Sequence, residues 1–176
     1  MAYRSKRRTM EIWDAYNDKR EKIGQYLVRG ERIPSGLYHL CVNVIVRHED
    51  GDILFMKRSS QKELYPNYLE FGAGGSVLAG EDSLSAVLRE LKEETGLAPS
   101  QIKLIEQTIS FEDQCLFDYY EAIIIGDKEI IIYQDGETDG HVWVGIEELP
   151  VFMKEELLFQ HQKALLKKLI EKQGDR

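Results

Sequence analysis

Three glutamates, Glu90, Glu93 and Glu94, lie in a five-residue stretch whose pattern predicts a helix. Because residues three and four positions apart on a helix are neighbours, the carboxylates should share one face, where Glu90 and Glu94 form a like-charge pair. No basic residue lies among the three, since Lys92 points elsewhere. A carboxylate cluster without a counter-charge supplies the oxygen ligands that a hard cation such as Mg²⁺ prefers. The alternative is a solvated acidic helix face.

The predicted helix runs over residues 83–95. Its apolar residues recur at i, i+3, i+4 and i+7 and make one stripe, which consists of Leu84, Val87, Leu88 and Leu91. Asp82 or Ser83 can cap its start, and Gly96 suits its C-terminal cap. A glycine-rich loop precedes the helix and would let the backbone approach a metal or a phosphate. Its glycines are Gly72, Gly74, Gly75 and Gly80.

The spacing across this stretch matches a known signature at every defined position. In order, the residues are Gly75, then Glu81 after five residues, Arg89-Glu90-Leu91 after seven more, Glu93-Glu94 and Gly96-Leu97. In this the chain resembles the Nudix hydrolases, and the stretch is similar to their Nudix box. The resemblance implies an α/β (mixed α+β) fold, an α/β/α sandwich with a mixed β-sheet between helices. It also implies Mg²⁺- or Mn²⁺-dependent cleavage of a nucleoside diphosphate linked to another group, or of a related small diphosphate.

The same resemblance implies roles for the charged residues of the box. Glu93 and Glu94 look like the main metal ligands, and Glu90 looks like a ligand or the general base. Glu81 resembles an outer carboxylate that orients Arg89 or binds a further metal. Arg89 is expected to hold the glutamates in position by ion pairing.

Residues outside the helix complete the implied site. The backbone carbonyl of Gly74 is expected as an extra metal ligand, and Gly74 and Gly75 as contacts to the substrate. Lys57 and Arg58, with Lys62 in the following loop, could offer cations to substrate phosphates. Ordinary strand-edge and loop charges are the alternative for these three.

An acidic loop at residues 135–140 precedes a predicted strand at residues 141–146 that carries Trp143. Many Nudix proteins place one more acidic residue just before this strand, as base or metal ligand. Glu137 and Asp139 are the two candidates here, and a solvated loop is the alternative.

The N-terminal half carries a second resemblance. Its residues are Trp13-Asp14, Arg29-Gly30, Tyr38-His39, Lys57-Arg58-Ser59 and Lys62-x-x-Tyr65-Pro66. They look like the isopentenyl diphosphate isomerase branch of the superfamily. The isomerases use a catalytic cysteine before the box and a His-rich metal site, whereas residues 70–75 here contain neither Cys nor His. His39 matches one isomerase metal position only loosely, and a structural histidine is favoured. The resemblance therefore supports the architecture and argues against the isomerase reaction.

The 176-residue chain has a net charge of −8, which argues against broad binding of nucleic acid or anionic membranes. We expect a small phosphorylated molecule as the partner. The two cysteines, Cys41 and Cys115, lack metal-type spacing and lie in apolar runs, so we predict small core hydrophobes rather than a disulfide. No run has the length of a signal peptide or membrane span, and the cytoplasm is the expected location.

The chain divides into three predicted parts. Residues 1–9 form a disordered basic arm, with a nucleic-acid tail as the alternative and Met10 as an alternative start. Residues 10–37 form an N-terminal hairpin extension. Residues 38–173 form the Nudix hydrolase domain, which ends in an amphipathic helix at residues 155–170. A homodimer is an open alternative, with Trp13 and Tyr16 as its contacts.

The sequence is compatible with three functions to different degrees. A Mg²⁺-dependent pyrophosphohydrolase is favoured, because the box carboxylates are complete. An isopentenyl diphosphate isomerase is disfavoured by the missing cysteine. A non-catalytic nucleotide-binding domain is disfavoured because such a domain has no need of the full carboxylate set.

Overall fold

The computed structural model describes residues 10–133 and 135–174. The predicted basic arm at residues 1–9 lies outside these ranges. The strands are β1 (Ile12–Tyr16), β2 (Lys22–Val28), β3 (His39–His48), β4 (Ile53–Arg58), β5 (Leu69–Phe71), β6 (Ala73–Ser76), β7 (Gln101–Ser110), β8 (Cys115–Ile124) and β9 (Thr138–Val144). The helices are α1 (Ser83–Thr95), α2 (Leu149–Glu155) and α3 (Gln160–Gly174). Within the described ranges, none of these helices has the length and hydropathy to span a membrane.

Seven strands form a mixed sheet in the order β5-β4-β3-β8-β7, with β6 paired to β3 and β9 paired to β4. β3 and β8 run parallel in unbroken register from His39↔Cys115 to His48↔Ile124, and the other pairs are antiparallel. Because successive side chains of a strand point to opposite faces, β3 contributes apolar residues to both sides of the sheet.

Two apolar clusters fill the layers on either side of this sheet. The first cluster joins Val42, Val44 and Val46 of β3 to Val87 and Leu91 of α1. The second cluster joins the opposite face of the sheet to α2 and α3, and its members include Ile45, Phe71, Leu149, Leu165 and Leu166. This arrangement confirms the predicted α/β/α sandwich.

An antiparallel hairpin of β1 and β2 packs against the body of the protein, as predicted. The hairpin is joined to the rest of the fold by its backbone, because Tyr16 and Tyr38 exchange two backbone hydrogen bonds of 2.9 Å. Trp13 and Tyr16 were predicted as contacts in a homodimer, but their exposed fractions are only 7% and 6%. The prediction was wrong for these two side chains, because they are buried within one chain.

The C-terminal region differs from the single helix predicted over residues 155–170. α2 ends at Glu155 and α3 begins at Gln160. The segment between them is extended because it docks on β5, where the Leu69 N–H donates to the Leu157 carbonyl at 2.8 Å. In the first turn of α3, Gln162 is buried, and its side-chain Oε1 accepts a hydrogen bond from the Phe71 N–H at 3.2 Å. The hydrogen bond from Leu69 to the Leu157 carbonyl favours an extended segment over a continuous helix, and apolar spacing alone does not reveal it.

Candidate active site

α1 is bounded by the residues that its sequence predicts. Asp82 is the N-cap, and its Oδ1 accepts from the Ser85 N–H at 2.7 Å. Gly96 adopts the left-handed conformation with φ 74° and donates its N–H to the Lys92 carbonyl. Local capping chemistry therefore fixes Ser83–Thr95 as one helix, which sets the angular positions of its glutamates.

The packed face of α1 differs from the predicted apolar stripe. Leu84 and Leu88 were expected in the core, but their exposed fractions are 45% and 37%. The fully buried residues are Ala86, Val87, Leu91 and Thr95. Relative to the predicted orientation, the helix is thus rotated about its axis so that Glu90 and Glu94 turn toward the sheet, and both are only partly exposed. The rotation carries two carboxylates against the sheet in place of two leucines.

Glycines of β6 make room for these carboxylates. A Cβ atom at Gly75 would lie 2.2 Å from Glu90 Oε1, which no side chain could accommodate without moving the carboxylate. At the preceding position, the Gly74 N–H donates to Glu94 Oε2 at 3.1 Å. The segment was predicted as a loop, yet Gly74 and Gly75 belong to a strand that pairs with β3. The sheet edge and the helix therefore meet with glutamates between them.

Arg89 is the centre of the charged network on the outer side of α1. Its Nε and Nη2 donate to Glu81 at 2.9 and 3.0 Å, and its Nη1 donates to Glu90 Oε1 at 2.6 Å. Nη2 also donates to the Ser76 carbonyl at 3.1 Å, and Nη1 lies 3.5 Å from Glu93 Oε2. The guanidinium lowers the pKa of Glu81, and the Glu81 carboxylate raises the pKa of Arg89. The prediction that no counter-charge lies among the three glutamates was therefore wrong.

Glu94 lies on the inner side of this network. Burial, together with the negative charges of Glu90, Glu70 and Glu137, raises the pKa of Glu94 to about 8. Burial also raises the pKa of Glu90. At neutral pH Glu94 is therefore mainly protonated, unless a bound cation offsets the negative charges of its neighbours.

Glu70 was not predicted as part of the site. It lies in β5 between the buried Leu69 and Phe71, and its charge acts on Glu94. The sequence signal is an acidic residue between two apolar ones directly before the glycine-rich segment, which reads as an ordinary half-exposed strand position. Only the fold, which brings the charge of Glu70 close enough to Glu94 to act on it, gives it significance.

The structure places the two predicted substrate cations differently. Met56 of β4 pairs with Glu70 of β5 and belongs to the first apolar cluster, which contains residues of α1. Met56 and Glu70 therefore lie on the side of the sheet that faces α1. Arg58, two residues on, forms an ion pair with Glu70 on the same face. Lys57 is exposed and pairs with Leu69 of the second cluster, so it lies on the opposite face. Only Arg58 is therefore brought toward the glutamates.

Of the two acidic candidates near β9, only Glu137 acts on the site. Its charge contributes to the raised pKa of Glu94, and its carboxylate forms an ion pair with Lys62. Asp139 lies within β9, where it accepts from the Ser60 N–H at 2.7 Å and from the Ser60 hydroxyl at 3.0 Å. Asp139 therefore holds the neighbouring loop rather than facing Glu94.

The chain resembles known proteins in sequence and in structure. The sequence pattern of the NUDIX domain matches residues 37–169. An uncharacterized Nudix hydrolase from Listeria monocytogenes is 43% identical over 88 residues, which cover 50% of this chain and 52% of the relative. Another from Shigella flexneri is 34% identical over 136 residues, which cover 77% and 74%. The chain thus spans about half the length of the first of these relatives.

Solved structures share the fold at lower identity. A crystal structure of a protein from Deinococcus radiodurans superposes with a TM-score of 0.72 at 23% identity, covering 90% of this chain and 98% of the other. The NUDIX domain of Shewanella oneidensis NrtR, solved as a complex with ADP ribose, superposes with a TM-score of 0.60 at 16% identity, covering 77% and 88%. At these identities the likeness concerns the fold alone.

Proposed function

The chain belongs to the Nudix family, and on this basis we propose that it hydrolyses a phosphoanhydride bond with Mg²⁺ or Mn²⁺ as cofactor. The substrate class is a nucleoside diphosphate linked to another group, or a related small diphosphate. The observation that carries the proposal is the packing of the Glu90 and Glu94 carboxylates against Gly75 and Gly74 of β6. In this position the pKa of Glu94 is raised to about 8. A hard divalent cation bound there would stabilise the ionised form of Glu94 and would offset the repulsion between the neighbouring carboxylates.

The proposed metal ligands are Glu90, Glu93 and Glu94, with the Gly74 carbonyl and Glu81 as further donors. All of them offer oxygen atoms, which suits Mg²⁺. Bound there, the ion would neutralise phosphate charge and lower the pKa of a water molecule. Arg89 holds Glu90 and Glu81 in position through the hydrogen bonds described above.

The remaining residues bind the substrate and accept a proton. We assign the general base to Glu137, because its side chain is 48% exposed on a loop and its charge acts on Glu94, whereas Glu90 is only 13% exposed and held by Arg89. Gly74 and Gly75 present backbone close to the carboxylates, where substrate phosphates would lie. Arg58 is proposed to order the loop after β4, since it donates to the carbonyls of Tyr65 and Leu64 at 3.2 and 3.1 Å. Lys57 lies on the opposite face of the sheet and is therefore not assigned to the substrate.

A phosphate-release screen tests this function. The protein would be incubated with Mg²⁺ and nucleoside triphosphates, nucleotide sugars, ADP-ribose, dinucleoside polyphosphates, coenzyme A, NADH or isoprenoid diphosphates. We expect metal-dependent turnover of one of these classes that is lost with excess chelator. Isomerisation of isopentenyl diphosphate without phosphate release, or nucleotide binding without turnover, would contradict the proposal.

Gly75→Ala is expected to lower kcat about 10²-fold, because its methyl group would displace the Glu90 carboxylate from its position. Gly140→Ala is the matched control, since a Cβ atom there meets no atom within 4 Å. Steady-state kinetics on the substrate found in the screen would measure both variants. Unchanged kcat in Gly75→Ala would mean that the position of Glu90 is not important for turnover.

Glu137→Gln is expected to lower kcat about 10²-fold or more through loss of the proton acceptor, with little change in Mg²⁺ affinity. Asp139→Asn removes a carboxylate two residues away and should leave kcat near that of the wild type. Kinetics at several Mg²⁺ concentrations would separate the two effects. If Glu137→Gln kept full kcat, the base would have to be another group, with Glu90 the next candidate.

A further inference from the structure

Two cysteines and a histidine come together at the start of β3 and β8. His39 and Cys41 are two residues apart on β3, so their side chains share a face. Cys115 begins β8 and is the register partner of His39. The ligating atoms of the three residues, one ring nitrogen and two sulfur atoms, all lie within 4.8 Å of one another.

From this cluster we propose that His39, Cys41 and Cys115 bind a zinc ion, at a site separate from the glutamates of α1. The donors favour this ion because thiolates and imidazole select borderline-soft metals, whereas Mg²⁺ prefers carboxylates. The chain contains two cysteines in total, and the fold brings both to this one place. They were predicted as separate core hydrophobes, but Cys41 is only partly buried and lies beside His39.

The spacing of the ligating atoms in the cluster agrees with tetrahedral zinc. With Zn–S of about 2.3 Å and Zn–N of about 2.0 Å, two ligands of a tetrahedron are separated by about 3.6 Å. Cys41 Sγ lies 3.6 Å from His39 Nδ1. These two donors already have the separation that a shared ion requires.

A disulfide between the cysteines fits this backbone less well. In the β3–β8 register Cys41 pairs with Phe117 and Cys115 pairs with His39, so the cysteines are offset by two residues. A strand spacing of about 4.8 Å and a rise of about 3.3 Å per residue place their Cα atoms about 8 Å apart. Disulfides seldom bridge more than about 6.8 Å between Cα atoms. An ion between the sulfur atoms needs no such approach of the strands.

The surroundings give the site a structural role. The Trp13 ring of β1 stacks on the His39 ring, with 4.3 Å between centroids and 21° between planes. A metal-bound His39 would therefore hold β3, β8 and the hairpin in a fixed relation. A water molecule would complete the coordination of the bound zinc, and the Ser76 hydroxyl, 3.9 Å from Cys41 Sγ, would be available as its hydrogen-bond partner.

Cobalt substitution tests the site on the full chain without any enzyme assay. Reduced, metal-free protein would be titrated with Co²⁺, and we expect a sulfur-to-cobalt charge-transfer band that saturates at one ion per chain and disappears when Zn²⁺ is added. Cys115→Ser should lose the band, whereas Ser76→Ala and Glu94→Gln should keep it. Elemental analysis of protein produced with zinc should give one Zn per chain.

A thiol-alkylation assay on the wild type keeps the test valid if a cysteine variant fails to fold. Stoichiometric Zn²⁺ should slow alkylation of Cys41 at least about tenfold, and Mg²⁺ should not. Absence of the charge-transfer band from reduced wild type would overturn the proposal, as would equal alkylation rates with and without Zn²⁺. Isolated protein with a Cys41–Cys115 disulfide and no zinc would also overturn it.

Discussion

Glu94→Gln should abolish most of the activity while leaving the fold intact. We expect kcat to fall about 10³-fold, because the amide removes the negative charge proposed to bind the cation. The variant keeps an acceptor oxygen for the Gly74 N–H, which donates to Glu94 Oε2 at 3.1 Å in the wild type. Isothermal titration with Mg²⁺ and steady-state kinetics would measure the loss. Near wild-type turnover would exclude Glu94 as a metal ligand.

The same variant should be more stable than the wild type when metal is absent. The folded-state pKa of Glu94 is about 8, above the ordinary glutamate value of 4.5, so ionising this group opposes folding. The resulting loss of stability begins as the pH rises above 4.5 and is complete above 8. Above pH 8 we expect the free energy of unfolding of Glu94→Gln to exceed that of the metal-free wild type by a few kcal/mol. This figure follows from about 1.4 kcal/mol per unit of pKa difference between the folded and unfolded states.

Denaturant unfolding with chelator at pH 4 and pH 9 would measure this difference. The two proteins should be nearly equal at pH 4, and excess Mg²⁺ at pH 9 should stabilise the wild type alone. Glu63→Gln is a suitable control, because Glu63 lies on the exposed loop after β4. A Glu94→Gln variant that was less stable than the wild type at pH 9 would show that the carboxylate is already compensated.

Arg89→Ala should lower both activity and stability. Glu81 and Glu90, whose side chains are only 18% and 13% exposed, would lose their shared cation. We expect the free energy of unfolding to fall by about 2 kcal/mol. Activity should fall about 10- to 100-fold, because Glu90 would no longer be oriented. Arg89→Lys should rescue little, since one ammonium cannot replace four hydrogen bonds made by a planar guanidinium.

Arg29→Ala is the matched control for this effect. Arg29 forms an ion pair with Glu11 at 2.6 Å, but its own side chain is 69% exposed. Such surface pairs contribute about 0 to 1 kcal/mol. Chemical denaturation of both variants, with kinetics under saturating Mg²⁺, would compare them. Equal losses in the two variants would mean that the Arg89 network has no special role.

The box helix could be predicted closely because its determinants are local. Asp82 and Gly96 mark its ends through backbone chemistry that involves only neighbouring residues. Its orientation could not be predicted in the same way. Leu84 and Glu94 lie on opposite flanks of the Val87–Leu91 stripe, and hydrophobicity favours the leucine flank. The glycines of β6 decide otherwise, because only beside residues without side chains can Glu90 and Glu94 pack against the sheet.

The cysteine–histidine cluster could not be predicted for a different reason. Cys115 is distant in sequence from His39, and only the parallel pairing of β3 with β8 aligns them. Metal-site spacing rules apply to ligands on one turn or hairpin, so they do not detect ligands that separate strands contribute. Glu70 could not be recognised from the sequence for a similar reason, since only the fold brings its charge close enough to act on Glu94.

The extended segment between α2 and α3 has a consequence for the edge of the sheet. β5 is the last strand on one side, and an uncovered edge offers free N–H and C=O groups to strands of other molecules. The segment occupies this edge, with Leu158 bridged in parallel to Leu69 and the Leu69 N–H bound to Leu157. The break in the C-terminal helix thus covers part of this edge, and it should lower the tendency of the edge to pair with strands of other molecules.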